Sequence, residues 1–147
     1  MIIEKLLRDR RSDVPVIGPD ESVLSATRLF ERRKRGLVAV CDSGSRLLGV
    51  VSLGDIVHAI RSHEERALAM SVREIMTSEV ATCGPQDNLE DALKTMTARS
   101  IRHLLVVENG ALKGLISKRD ALELLYNEAA LDFEQLRNYV FKTGGRY

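Results

Sequence analysis

Apolar positions along this chain fall into two rhythms, and the order of those rhythms occurs twice. Short apolar runs at 14–17, 37–41 and 47–51 predict strands, because turn-forming residues bound each run and none is long enough for a buried helix. Between the first two runs, Val23, Ala26, Leu29 and Phe30 recur at steps of three and four, which predicts a helix with one apolar face. Ser22 stands before it as an N-cap type. The second half repeats the scheme. Runs at 80–83, 103–107 and 112–116 predict strands, and Leu89, Ala92, Leu93 and Met96 predict a helix that Asn88 caps. A closing helix begins after Ser52 in one half and after Ser117 in the other. Each half therefore reads strand, helix, strand, strand, helix. Such an α/β unit is too small to bury its own sheet face, so two pseudo-symmetric halves are expected to pack together.

The halves match position by position. Gly18-Pro19 recurs 66 residues later as Gly84-Pro85, and both pairs break the chain before the first helix. At the same offset Val14 matches Val80, Ala26 matches Ala92, Arg33 matches Arg99, Val40 matches Val106 and Gly44 matches Gly110. One residue is then missing from the second hairpin turn. Leu47, Gly49, Ser52 and Asp55 consequently match Leu112, Gly114, Ser117 and Asp120 at an offset of 65. Asp42-Ser43-Gly44-Ser45-Arg46 reads as one hairpin turn, and Asn109-Gly110 is a strong hairpin signal for the other. The repeats are expected over 9–62 and 71–127. The polar stretch 61–71 links them, and Ser71 with Glu74 forms a capping box for a short helix that enters the second repeat. Residues 2–7 and the tail, 128–147, fall outside the repeat pattern, and both are expected to add helices. The stripe Leu122, Leu125, Ala129, Phe133, Leu136 and Val140 supports the second.

Composition narrows the function classes. The net charge of +1 supplies no field that would draw the chain to nucleic acid, and the aromatic content of 4% with no Trp leaves no stacking platform for single strands. No apolar run reaches a membrane span, and charges at Glu4, Lys5, Arg8 and Asp9 interrupt the N-terminus too early for a signal peptide. A cytoplasmic location is the expectation. Cys41 and Cys83 lie in separate apolar segments and are expected to be buried free thiols. His58 and His63 are five apart and share no helical face suited to a metal, so no metal is expected. No nucleophile elbow, P-loop, His-Glu-x-x-His or Gly-x-Gly-x-x-Gly occurs, and the repeats use up most of the chain, so an enzyme is not expected. The basic run Arg32-Arg33-Lys34-Arg35 reads as a solvated helix end.

The close of each repeat carries a further likeness. Leu47-Leu48-Gly49-Val50-Val51-Ser52-Leu53-Gly54-Asp55 and Leu112-Lys113-Gly114-Leu115-Ile116-Ser117-Lys118-Arg119-Asp120 share Gly-x-x-Ser-x-x-Asp, each after a hairpin. Arg102-His103-Leu104-Leu105-Val106-Val107 is similar to an Arg-His-Leu-Pro-Val-Val stretch, with Leu105 where proline is usual. Over 9–127 the chain resembles a tandem pair of CBS domains, a Bateman module, and 134–140 resembles the tail of stand-alone bacterial CBS-pair proteins. The resemblance implies two repeats about a pseudo-two-fold axis with two clefts for AMP, ADP, ATP, NAD(H) or S-adenosylmethionine. It implies a regulatory module, usually a homodimer in a flat disk, that acts on an unidentified protein target.

The motif suits such a ligand. Asp55 or Asp120 offers two acceptor oxygens to a ribose diol. Ser52 or Ser117, at a helix start, can meet a phosphate with its hydroxyl and nearby N–H groups. The alternative is that both serines are simple N-caps and both aspartates ordinary first-turn acids. By the resemblance, one cleft joins Ser52 and Asp55 to Val80 and Thr82. The other joins Ser117 and Asp120 to Val14, Val16 and the stretch Gly36, Leu37 and Val38. Arg102 and His103 stand where basic residues contact phosphate, although His103 can equally be a strand histidine hydrogen-bonded in place. The clefts are expected to differ, with phosphate better met beside Ser117. A dimerisation scaffold with unoccupied clefts is the other reading.

Overall fold

The computed structural model describes residues 2–9, 14–33 and 36–144. Lys34 and Arg35 of the basic run and the last three residues of the expected tail lie outside the described residues. The chain runs α1 (Ile3–Asp9), β1 (Val16–Ile17), α2 (Val23–Arg33), β2 (Leu37–Cys41), β3 (Leu47–Ser52) and α3 (Leu53–His63). After a 3-10 segment at Glu64–Ala69 come α4 (Val72–Ile75), β4 (Thr82–Cys83), α5 (Leu89–Ala98), β5 (His103–Glu108), β6 (Ala111–Ser117) and α6 (Lys118–Gly144). The structure is α/β, with two three-stranded sheets ordered β1-β2-β3 and β4-β5-β6. In each sheet the first pair is parallel and the second antiparallel.

Local chemistry explains the shared scheme. Gly18 and Gly84 N–H donate to the Glu21 and Asp87 carboxylates at 2.8 and 2.7 Å, which closes the same turn in both repeats. Ser22 Oγ accepts from Ser25 N–H, and Asn88 Oδ1 accepts from Glu90 N–H, so both helices start on their expected caps. The hairpin turns differ by the missing residue. Asn109 and Gly110 both take positive φ, the conformation a tight two-residue loop needs. In the longer loop Asp42 Oδ1 accepts from Gly44 and Arg46 N–H, and Ser45 alone has positive φ.

Strand alternation divides the apolar residues into three groups. Val38, Val40 and Val51 face α2 with Val23, Ala26 and Phe30. Leu104, Val106 and Ile116 face α5 with Leu89, Ala92 and Met96. Val50, Leu105 and Leu115 meet between the two sheets. The hairpin tips also join directly: Leu47 N–H donates to Gly110 O and Leu112 N–H to Ser45 O, each at 3.1 Å.

The short helices depart from the expectation. Val72 and Ile75 of α4 pack on the first repeat's core, and Val72 N–H donates to Glu21 O. Ile3 and Leu6 of α1 pack on the second repeat's core, and Ile3 N–H donates to Asp87 O. Each helix thus completes the repeat other than the one it leads into. Residues 2–7 are part of the repeat scheme after all, because Ile3 plays the part of Val72 at an offset of 69. Their match escapes the 66-residue register because three residues more separate the start of α1 from β1 than separate the start of α4 from β4, α1 being the longer helix. The tail is not a separate helix either: α6 runs unbroken from the closing helix through Gly144. No described helix is long and apolar enough to cross a membrane.

Two expectations follow. Leu6 is 2% exposed in the second repeat's core, so Leu6→Ala should cost about 2–5 kcal/mol and lower the urea midpoint of one cooperative transition. A transition that splits, or an unchanged midpoint, would contradict the helix exchange. Burial, with Asp87 adding, pushes the Cys83 thiol up to about 12, and burial also raises Cys41. Native alkylation of both thiols should therefore be slow at pH 8. An unfolded chain loses the Cys83 proton near its ordinary value of 9.0, before the native chain does. Stability should thus fall as pH rises from 9 towards 12, and less steeply in Cys83→Ala, as read from urea midpoints.

Candidate functional site: two clefts between the repeats

The antiparallel pairs set the geometry. Leu37 lies opposite Ser52, and His103 opposite Ser117, so the start of one strand in each repeat sits beside the start of its closing helix. Ser52 caps α3: its Oγ accepts from Asp55 N–H at 3.1 Å, and Asp55 Oδ2 accepts from Ser52 N–H at 2.8 Å. Ser117 Oγ accepts from Asp120 N–H at 3.0 Å in the same way. The serine-aspartate pairs are therefore N-cap pairs, whatever else they do.

A stretch before β4 crosses this corner of the first repeat. Val50 and Thr77 exchange both backbone hydrogen bonds, at 2.9 and 2.8 Å. Thr77 Oγ1 also lies 3.4 and 3.5 Å from the two Asp55 oxygens, to which it can donate. The crossing explains Gly49 in the motif. A Cβ there would stand 2.6 Å from Thr77 O, a backbone atom that cannot move without breaking the bridge.

A cavity of about 500 Å³ opens above Ser52 and Asp55. Its apolar wall combines Leu37 and Val50 with Val80, Ala81, Ile101 and Leu105 of the other repeat. Its rim carries Thr77, Glu79, Arg99, Arg102 and His103, together with Gly36. A second cavity of about 610 Å³ lies beside Ser117 and Asp120, lined among the described residues by Gly36, Arg102, His103, Lys118, Arg119 and Leu122. The first rim sets two acidic side chains, Asp55 and Glu79, against two basic ones, Arg99 and Arg102. The second sets Asp120 against Arg102, Lys118 and Arg119.

The structure brings Ser52, Asp55 and Val80 together, and it brings Ser117, Asp120 and Gly36 together. Arg102 and His103 border both cavities rather than the second alone. Five other residues, Leu37 among them, stand elsewhere than expected. Thr82 pairs with Leu105 and lines a separate hollow beside Cys83, because the lining comes from the residues before β4 rather than from the strand. Val16 lines a hollow beside Arg28 and Arg32. Val38 points into the first repeat's core and is fully buried, while Leu37, one residue earlier, faces the first cavity. Val14 packs with the inter-sheet group.

Sequence reasoning missed Thr77, Glu79, Arg99, Lys118 and Arg119. Arg99 had a visible signal, since it recurs as Arg33. Thr77 had none, because only the crossing of the chain places it there. Among the described residues, no group of three or more His, Cys, Asp or Glu could hold a metal.

Known proteins resemble this chain in sequence and fold. A 33.4 kDa protein from a ribosomal RNA operon of Thermofilum pendens is 30% identical over 119 residues, 81% of this chain; the chain spans 39% of that relative's length. The crystal structure of a CBS-domain protein from Agrobacterium tumefaciens, 32% identical, superposes with a TM-score of 0.73 over 83% of this chain and 91% of that one. At 16% identity the fold alone is shared with the CBS pair of MJ0100, solved with 5-methylthioadenosine and S-adenosyl-L-methionine, at a TM-score of 0.73 over 87% and 98% of the two chains. CBS-pair modules in general bind adenosyl ligands. The CBS domain family matches residues 7–62 and again 72–127, and with two copies in tandem this chain belongs to that family.

Proposed function

We propose that the chain is a non-catalytic regulatory module that senses an adenosyl ligand in the clefts between its repeats. It works as a cytoplasmic homodimer that passes the ligand's presence to a protein target. The observation that carries this reading is the pairing, in each cavity, of a serine-aspartate helix start with cationic side chains. In the first cavity the apolar wall also suits an adenine ring. The carboxylates take a ribose diol, and the helix N-termini and arginines take phosphate.

The two cavities divide the work by charge. The first, with balanced charge and an apolar wall, suits an adenosyl group with little phosphate. The second, with Lys118 and Arg119 added to Arg102, suits AMP or ATP, and ATP more. The part of NAD(H) that carries two phosphates fits the same description. One observation favours the scaffold reading: both Asp55 oxygens already have partners inside the protein, Ser52 N–H and Thr77 Oγ1.

Thermal shift separates the two readings. A ligand at a hundred times its Kd should stabilise the native state by about 2.7 kcal/mol. No shift with AMP, ATP, NAD, NADH or S-adenosylmethionine would leave the scaffold.

Calorimetric titration tests the division between clefts. ATP should bind more tightly than AMP, and Lys118→Gln with Arg119→Gln should reduce that ratio by roughly 5- to 10-fold, a modest effect because Arg119 is exposed and Lys118 only half-buried. Arg99→Gln should leave the ratio unchanged. Asp120→Ala should weaken ATP more than Asp55→Ala does. Equal losses in both aspartate variants would refute the division.

A further inference from the structure

The first turns of α6 are anchored, and the rest is not. Ala121 is buried and Leu124 and Leu125 are half-buried against the second repeat's core. From Tyr126 through Lys142 every described side chain is exposed. A helix that leaves its core for about five turns has little to hold it in water, because helical stability comes mainly from packing an apolar face.

This stretch has such a face. Leu122, Tyr126, Ala129, Phe133, Leu136 and Val140 succeed one another at steps of four, three, four, three and four. That is the a/d spacing of a coiled-coil seam, narrower than the stripe of a helix lying on a globular core. The seam is open: Tyr126 is 73% exposed, Phe133 67% and Leu136 61%.

The seam is complementary to itself when two copies run antiparallel. Centred between Ala129 and Phe133, such a pair sets Ala129 against Phe133 of the second copy, Tyr126 against Leu136, and Leu122 against Val140. Every layer then joins a larger side chain to a smaller one, as close packing requires. A parallel pair would stack Tyr126 on Tyr126, Ala129 on Ala129 and Phe133 on Phe133, which alternates wide layers with a narrow one. Of the flanking charges, Asp132 meets Asp132 of the second copy at the centre, a repulsion confined to one exposed pair, while the outer pairs attract. Glu123 and Arg137 occupy equivalent e positions and face each other across the antiparallel seam, twice by symmetry.

The area suffices. Covering two tyrosine and two phenylalanine rings removes on the order of 500 Å² from water, given their partial exposure, and the aliphatic layers of two copies bring the total to about the 1,000 Å² of a specific interface.

We propose that α6, from Leu122 to Val140, is the homodimer interface of this protein, closed by α6 of a second copy in antiparallel register. The inference rests on the homodimer part of the reading above and not on the ligand.

Sedimentation velocity at about 5–100 µM full-length protein tests it. The wild type should be a dimer. Leu136→Asp should raise the dimer Kd at least about tenfold, while far-ultraviolet circular dichroism shows the repeats still folded. Arg137→Glu should weaken the dimer, and Glu123→Arg in the same chain should restore it. Rescue by Asp132→Arg instead, the partner that a parallel pair would use, overturns the antiparallel register. A dimer that survives both Leu136→Asp and Arg137→Glu overturns the seam but keeps the homodimer, with the contact then on another face such as Val57 and Ile60 of α3. A wild type that stays monomeric at about 100 µM overturns both, and leaves the seam to a different protein.

Discussion

The contact between the two sheets is the constraint from which the rest of this structure follows. Val50, Leu105 and Leu115 are apolar on a face that neither repeat can cover with its own helices. Burying them requires the second repeat, and the pseudo-two-fold packing then places each serine-aspartate helix start at the boundary between repeats. The hairpin tips hold that packing at one end through Leu47 and Leu112. Val50 and Leu105 of this contact also form part of the wall of the first cleft.

The residues at the clefts carry two duties. Ser52 and Asp55 satisfy the first turn of α3 with reciprocal hydrogen bonds, so they would be favoured there with no ligand at all. The same arrangement presents a carboxylate and a helix N-terminus to the cavity. A substitution at Asp55 therefore changes the cap, the Thr77 contact and any ligand contact together. The side chains of Lys118, Arg119 and Arg99 line the cavities without capping a helix, and they separate recognition from stability more cleanly.

What was legible in the sequence was whatever repeats or alternates. The strands, the capped helices and the one-residue difference between hairpins could all be read, because Gly-Pro turns, Asn109-Gly110 and the three-four spacing each act locally. The Gly-x-x-Ser-x-x-Asp close could be read as the candidate site for the same reason. Partners across the cleft were less legible. Val80 and Thr82 were expected from the resemblance, yet Val80 lines the first cavity together with Thr77 and Glu79, while Thr82 does not. Which residue of a lead-in faces a neighbouring repeat depends on where the chain crosses it, and only the Val50–Thr77 bridge decides that. The role of α1 was hidden because three residues more run from its start to its strand than run from the start of α4 to its own.

That exchange of short helices has a consequence for how such a chain can arise and be divided. Ile3 and Leu6 serve the second repeat, while Val72 serves the first. A single repeat with its own leading helix would present that helix outward and leave its own core open. Two identical copies could close both by reciprocal domain swapping. The present chain is such a swapped pair joined end to end, so a cut at the linker yields two halves that each carry the other's helix.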